Sequence, residues 1–287
     1  MNNIALFKKY INLLDEVYVN SSATSVLDGN NALVRQGASA KELIIPKISL
    51  DGLADHDRNG EFTPGNVSLE YETILADYDR DRRFTVDAMD NAESAGVAFG
   101  SLAAAFIREK VVPELDAYRM ASYAGLAGLS ESGALAGGEA VLTALIAAQN
   151  AQDEAEVPSE DRVLFITPTL YNAVANVDTT KSKAVLASYG TIKKIPQTRF
   201  YSAIDLLDGK SSGEEAGHFQ KAADAKNLNF MSVSRSAVIQ HQKHTVSKVI
   251  SPEDNQNGDA WIFLYRTYGM AKVYENKKNG IYVHTAV

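Results

Sequence analysis

Near the start of the chain, hydrophobic residues recur at helical spacing: Ile4, Phe7, Ile11, Leu14 and Tyr18, widened by Leu6, Tyr10, Leu13 and Val17. This stripe predicts an amphipathic helix. A membrane-surface helix would carry a strongly basic polar face; here Lys8 and Lys9 mix with Asp15 and Glu16, so docking on protein is expected. From Asn20 to Gly37 the composition turns to Ser, Asn and Gly, which predicts an extended, mobile arm.

The period then changes to that of strands. Glu42 to Leu50 ends in an apolar run around Pro46, Asp51 to Asn66 is polar with Gly52, Gly60, Gly65 and Pro64, and Val67, Leu69 and Tyr71 alternate with polar residues. A long two-stranded hairpin with an irregular tip is predicted. It holds too few large apolar residues for a core of its own, and isolated ribbons are marginal in water, so its natural partner is another surface, such as that of another subunit. The alternation suggests a strand continuing to Asp87, with Ile74, Ala76, Tyr78, Phe84 and Val86 on one face and Asp77, Asp79, Asp81, Arg83 and Asp87 on the other.

Asp90 and Glu93 have the spacing of a reciprocal helix cap, and Val97, Phe99, Leu102, Phe106 and Ile107 give a helical face up to Val112. Pro113 is expected to kink or restart this helix, with Glu114 and Asp116 at the positive end of the segment that follows. Beyond the Gly-, Ser- and Ala-rich stretch from Gly125 to Gly138 a second lobe is read: helix over Val141 to Ala148, an acidic loop at Asp153 to Asp161, a strand over Arg162 to Thr167 and a helix from Pro168. Ile192 to Leu207 is strand-like with a turn at Pro196, Lys210 to Gly217 is a polar loop, and Phe230 to Val238 is strand-like again. Trp261 to Tyr274 alternates and turns at Asn276 to Gly280 into Ile281, Tyr282 and Val283, which predicts a closing hairpin. The fold class is α+β, with no repeating βαβ unit.

Composition narrows the function. Hydrophobic residues at 45% and charged residues at 22% of 287 suit a folded chain with a sizeable core. A net charge of -8 argues against a general nucleic-acid binder, which needs clustered cations to displace counterions from phosphates. The chain has no Cys, which removes disulfides, thiolate metal sites and cysteine nucleophiles and fits a reducing cytoplasm. No signal peptide or membrane-spanning segment is read.

The motif search turns up no cofactor site. Asp55-His56-Asp57-Arg58-Asn59-Gly60 opens like a calcium loop, but the twelfth position is Asn66 in place of a bidentate Glu, so a polar hairpin tip is the preferred reading. Asp77, Asp79 and Asp81 could gather a divalent cation, the basis of a metal-dependent enzyme. With Arg80, Arg82 and Arg83 among them, charge pairing between subunits is preferred. Gly209-Lys210-Ser211 lacks the earlier glycine of a phosphate loop, and His241 and His244 lack a third metal ligand.

Several strings together resemble the major capsid proteins of siphophages of Gram-positive hosts: Ile45-Pro46-Lys47, Asp51-Gly52-Leu53, Arg58-Asn59-Gly60, Asp79-Arg80 and Phe84-Thr85-Val86-Asp87-Ala88-Met89-Asp90-Asn91. So do Phe106-Ile107-Arg108, Val111-Val112-Pro113-Glu114, Asp116-Ala117-Tyr118-Arg119, Tyr274-Glu275-Asn276 and Gly280-Ile281-Tyr282-Val283-His284. The resemblance implies an HK97-type capsid fold with an N-terminal arm (1–40), an E-loop hairpin (41–76), a peripheral domain with a long spine helix (77–129), an axial domain (130–250) and closing strands returning to the peripheral domain (251–287). It implies a virion protein, assembled in the host cytoplasm into hexamers and pentamers around double-stranded DNA without reading its sequence. Scaffolding, portal and decoration proteins are the further partners it implies; no cofactor or membrane is. Many proteins of this kind carry a scaffolding segment ahead of the arm that is removed in maturation. Of a separate scaffold and a processed chain, a separate scaffold is the preferred expectation, since the sequence begins with Met1. The same fold builds encapsulin nanocompartments, the nearest structural competitor.

The residues singled out for subunit contacts are Lys47, Asp55, Asp57, Arg58, Asp77, Asp79, Arg80, Asp81, Arg82 and Arg83, with Gly52, Gly60, Gly65 and Pro113 as flex points. Some proteins of this fold join Lys and Asn covalently between subunits. Lys47 lies where such a donor would be, although an edge lysine that discourages unwanted pairing is the preferred reading.

Overall fold

The computed structural model describes residues 22–28, 35–36, 42–56, 60, 62–93, 97–177 and 179–287. The expected helix over Ile4 to Tyr18 lies outside them. In chain order the elements are β1 (Arg35–Gln36), β2 (Glu42–Leu50), β3 (Val67–Leu75), β4 (Tyr78–Asp87), α1 (Ala88–Glu93), α2 (Val97–Phe106), a π-helical turn (Ile107–Val111) and α3 (Val112–Leu126). There follow β5 (Leu129–Ser132), α4 (Gly138–Glu154), β6 (Arg162–Ile166), α5 (Pro168–Ala175), α6 (Thr179–Ala187), β7 (Thr191–Lys194), β8 (Ile204–Leu206) and β9 (Phe219–Lys221). The chain closes with β10 (Leu228–Ser234), β11 (Val238–Ile250), β12 (Ala260–Val273) and β13 (Ile281–Thr285).

The strands form a hairpin sheet β1-β2-β3, a sheet β11-β12-β4, a mixed sheet β5-β13-β10-β6-β7 and a small pair β8-β9. β6 runs Arg-Val-Leu-Phe-Ile and is buried at every position. The apolar run from Val163 to Ile166 suits an inner strand covered on both faces, and Arg162 at its start pairs with Asp153. On one face Leu164 and Ile166 pack with Val141, Leu145 and Ala148 of α4; on the other Val163 and Phe165 meet Met120 and Tyr123 of α3. A parallel crossover through α5 and α6 joins β6 to β7. A third core holds Ile107, Val111 and Val112 of the spine against Phe263 and Tyr265 of β12. There Phe106 meets Phe84 edge-on at 4.8 Å between ring centroids.

The spine keeps right-handed helical backbone from Phe106 through Val112. Pro113 lacks the N–H that an α-helix would direct at residue 109. The wider π turn just before it accommodates that loss, and Pro113 occupies the first turn of α3, where a missing donor costs least.

Several sequence expectations are corrected. Residues 22–28 are not an extended arm: Thr24–Leu27 is a 3-10 turn, and Ser22, Ala23, Thr24 and Leu27 are buried. β3 does not continue into β4; the strand breaks at Ala76 and Asp77 because β3 pairs with β2 while β4 pairs with β12. The closing hairpin does not form. β12 lies between β11 and β4, and the 3-10 segment Glu275–Gly280 redirects the chain so that β13 joins β10 and β5. Residues 238–250, assigned above to the second lobe, are an outer strand of the spine's sheet. The helix read at Val141 to Ala148 extends over Gly138–Glu154, and α6 was not foreseen.

His284, in β13, is buried, and its Nδ1 lies 3.0 Å from the Asn229 side-chain amide nitrogen. The amide can donate there when the ring is neutral with its proton on Nε2, the form that burial favours. Burial holds the imidazole below its usual value, opposed by the Glu131 carboxylate. The unfolded chain therefore takes up the proton first, and stability is complete above about pH 6.5 and falls as pH drops from there through the lower folded value. We expect the thermal midpoint to fall between pH 7 and 5, and the fall to be smaller in His284→Gln. An unchanged pH profile in that variant would show that the ring is not held neutral.

Candidate assembly surfaces

The β2-β3 register sets the chemistry of the hairpin. Ile48 faces Leu69, Leu50 faces Val67 and Pro46 faces Tyr71, whereas Lys47 faces Glu70 and Ser49 faces Ser68. Because side chains alternate across a ribbon, one face is apolar and the other polar. The apolar face is uncovered: Ile48, Leu50, Val67 and Leu69 are 60%, 68%, 71% and 52% exposed, and Tyr71 and Leu75 are exposed beside them. At the tip Phe62 is exposed and stacks on His56 at 5.4 Å. A contiguous apolar stripe of this kind marks a surface meant for a partner. The root is held by Ile74, buried against Ile239 and Met270, and Lys47 on the polar face donates to Glu275 at 2.8 Å. Among the other candidates, Asp55 is exposed and its carbonyl accepts weakly from Thr63 Oγ1 at 3.5 Å, while Asp57 and Arg58 lie outside the described residues.

The second charged surface is β4, whose exposure alternates strictly after Tyr78. Asp77, just ahead of it, accepts from Lys272 at 2.6 Å and from the Tyr118 hydroxyl, whose pKa burial and this carboxylate both raise. Asp79 takes a two-point contact from Arg266, at 2.9 and 2.7 Å. Asp81 sits opposite Arg266 in the ladder, and Arg83 is exposed on the same side. The acidic row is thus met by cations of its own chain, and no group of three or more His, Asp or Glu side chains that could hold a metal occurs among the described residues.

Arg80 and Arg82 point the other way, onto the face shared with Tyr78 and Phe84. Their guanidinium groups clasp the second lobe's polar loop: Arg80 donates to the His218 carbonyl at 3.2 Å and Arg82 to the Glu215 carbonyl at 2.9 Å. Glu114 of the spine completes the joint, accepting from Arg80 at 2.7 Å and facing His218 Nδ1 at 3.4 Å. Burial alone would raise this carboxyl, but the contacts from His218 and Arg80 hold it below the usual carboxylate range. Burial and Glu114 together push the Tyr78 phenol well up. These groups line a cleft of about 390 Å³ between β4, β12, the spine and the loop.

The Gly209-Lys210-Ser211 string is not an anion cradle. The Lys210 and Ser211 amides both donate to Asp208, whose carboxyl is lowered to about 2 by the Ser211 hydroxyl and those two amides. Gly209 takes φ +72 where the loop closes over Arg82, a conformation that favours glycine. Gly209→Ala should cost about 1–2 kcal/mol, measured by denaturant unfolding. Gly52→Ala, at a glycine with no atom within 4 Å of an added Cβ, should be neutral. Equal effects would contradict this assignment.

No protein-family model matches the chain, and no curated protein sequence does. Solved structures match it over nearly its whole length. One from Gordonia phage Cozz is 12% identical, with 93% of this chain and 86% of that one covered and a TM-score of 0.61. The capsid structure of Staphylococcus phage Andhra is 9% identical, covers 90% and 84%, and has a TM-score of 0.57. The virus-like particle from Pyrococcus furiosus is 11% identical, covers 96% and 99%, and has a TM-score of 0.54. At such identities the likeness is one of fold, and the fold is the HK97-type α+β arrangement.

Proposed function

We propose that this chain is a shell-forming major capsid protein whose function is self-association into hexamers and pentamers of a closed phage head. The observation that carries the reading is the uncovered apolar face of a long hairpin, on a chain whose fold is shared with phage capsids. A second copy is the natural cover, because a shell presents every hairpin with an identical neighbour. The hairpin takes the part of the E-loop, and the spine with β4, β11 and β12 that of the peripheral domain. The axial domain is then the lobe of β5 to β10 with β13, a division that follows sheet membership.

Two features support association over chemistry. The row Asp77, Asp79 and Asp81 that a metal-dependent enzyme would use faces Lys272 and Arg266. A net charge of -8 suits an enclosing wall that does not adhere to the genome. In this reading Asp55, Asp57, Arg58 and Arg83 are offered to neighbours, Lys47 joins them by exchanging its contact with Glu275, and Asp77, Asp79 and Asp81 contribute through their outer edges. Gly52, Gly60, Gly65 and Pro113 are the flex points of hairpin and spine. A scaffold, a portal and a decoration protein are the expected partners, and the particle would be built in the host cytoplasm.

The match to a virus-like particle favours one second reading, an encapsulin-type compartment. The test is electron microscopy of native particles with analysis of their contents. Nuclease-protected double-stranded DNA supports the phage head, enclosed enzyme supports the compartment, and absence of particles when the neighbouring genes are co-expressed counts against both.

A further inference from the structure

We infer that Ser22–Asp28 is a strap that couples its own seating to the docking of the second lobe on the spine, through one carboxylate that both share. Asp116 of α3 is fully buried. Its Oδ1 accepts from the Ser22 hydroxyl at 2.9 Å, the Thr24 hydroxyl at 2.6 Å and the Thr24 amide at 3.2 Å. Its Oδ2 accepts from the Ala23 amide at 3.0 Å and pairs at 3.2 Å with Arg199, which enters from the second lobe on the turn Gln197–Arg199. Four strap donors and one lobe cation therefore converge on a single side chain.

The rest of the joint is built around the same strap. Arg119, also buried, donates to the Thr24 hydroxyl oxygen at 3.0 Å and pairs with Asp28 at 3.5 Å. Gln240 of β11 donates to the Thr24 carbonyl at 2.9 Å and to Asp28 at 2.5 Å, and its own carbonyl oxygen accepts from Tyr123 of α3 at 2.7 Å. Ala23 and Leu27 belong to the same apolar cluster as Ile195 and Phe200 of the second lobe and Met120 of the spine. The strap thus fills the corner where α3, β11 and the second lobe meet.

The coupling follows from charge and solvation. With the strap unseated, Asp116 loses four donors and Arg119 loses Asp28, which leaves buried charge poorly solvated beside Arg199. With the second lobe swung away, Asp116 loses its direct cation, and Arg119, which reaches it through the Thr24 hydroxyl of the strap, is left to balance its charge. Each event makes the other easier, and the coupling is necessarily reciprocal. Movement of the lobe against the spine would therefore be transmitted to the chain at residue 22 and at residue 28. This coupling is internal to one chain and is read without assembly, so its failure leaves the capsid reading untouched.

The test is amide hydrogen exchange on the full-length chain, comparing wild type, Arg199→Met, Arg199→Lys and Thr24→Val. Arg199→Met should accelerate exchange at Ala23 and Thr24 by about tenfold or more, with Arg199→Lys intermediate and folded if the Met variant is not. Thr24→Val, a change in the strap alone, should accelerate exchange at Arg199 and Phe200, whose amides bond Pro196 and Gln197. Amides of β10 should keep their wild-type rates in both. If each substitution affects only its own segment, the strap is packed but uncoupled and the inference fails. It fails equally if exchange rises by the same factor throughout β10, because the strap and lobe then have no joint opening of their own.

Discussion

Ile48→Thr combined with Leu69→Thr is expected to abolish assembly while leaving the isolated chain as stable as before. The two side chains face each other across the hairpin and are more than half exposed, so the monomer gains little from them. Thr is β-branched, a shape that strands favour, which protects the ribbon itself. Burying an aliphatic side chain of this size contributes about 1.5–3 kcal/mol. Two of them lower each hairpin contact by about 3–6 kcal/mol, on the order of 10²- to 10⁴-fold in its association constant. A closed shell repeats that contact once per subunit, so the assembled state should vanish at protein concentrations where wild type forms it. Light scattering during assembly reads this, and thermal unfolding of the unassembled chain is the control. The same double change at Ser49 and Ser68, on the polar face, should leave both readouts unaltered. Unchanged assembly in the apolar-face variant would remove the hairpin from the account.

Asp116→Ala is expected to cost about 3–5 kcal/mol of stability, more than the loss of a carboxylate from the exposed row ahead of and along β4. The substitution strips the partner from Arg199 and leaves the Ser22 and Thr24 hydroxyls and two amides without their acceptor in a buried corner. For a chain of this length the thermal midpoint should drop by on the order of 10 °C. Asp77→Ala and Asp79→Ala are the contrast. The Arg266 partner of Asp79 sits at the surface, where solvent screens the pair, and that replacement should cost under about 1 kcal/mol. Asp77→Ala, which also strips the half-buried Tyr118 hydroxyl of its acceptor, should fall between Asp79→Ala and Asp116→Ala. Denaturant titration of the three variants decides the ranking. A loss at Asp79 equal to that at Asp116 would mean that the surface row carries stability that its exposure does not explain.

That ranking also marks where the sequence is readable and where it is not. The hairpin was legible except for the end of β3: alternation is a local signal and the turn residues between the strands are Gly, Asn, Asp and Pro, but the same alternation runs on past Ala76 into β4. The spine was legible because its apolar face repeats at helical spacing, and Pro113 could be placed at a change of helical register. The strap was not. Ser22 to Ser25 reads as polar loop, and its acceptors Asp116 and Gln240 lie 92 and 216 residues away from Thr24. β11 hid for a related reason: Gln240, His241, Gln242 and His244 look solvated until β12 is known to lie alongside. The closing hairpin was misread because Asn276 to Gly280 has turn chemistry, and nothing local says that the turn leads to a different sheet.

The basic residues of β4 show a signal that was present and undervalued. Arg80 and Arg82 fall on the even positions with Tyr78, Phe84 and Val86, so strict alternation sends them inward. A cation on an inward face requires acceptors. Glu114 and the carbonyls of Glu215 and His218 are those acceptors. The odd positions, with Asp77, Asp79 and Asp81, were read as one charged face, and they are one. Their nearest cations come from β12, in the same chain.

The central claim is that this chain works by associating with copies of itself, and sedimentation velocity of the purified full-length chain, expressed alone and with the neighbouring genes of its locus, tests it most directly. The account predicts ring-sized capsomers or closed shells sedimenting far ahead of a 31.1 kDa chain. A species that remains strictly monomeric or dimeric under every one of these conditions would contradict it.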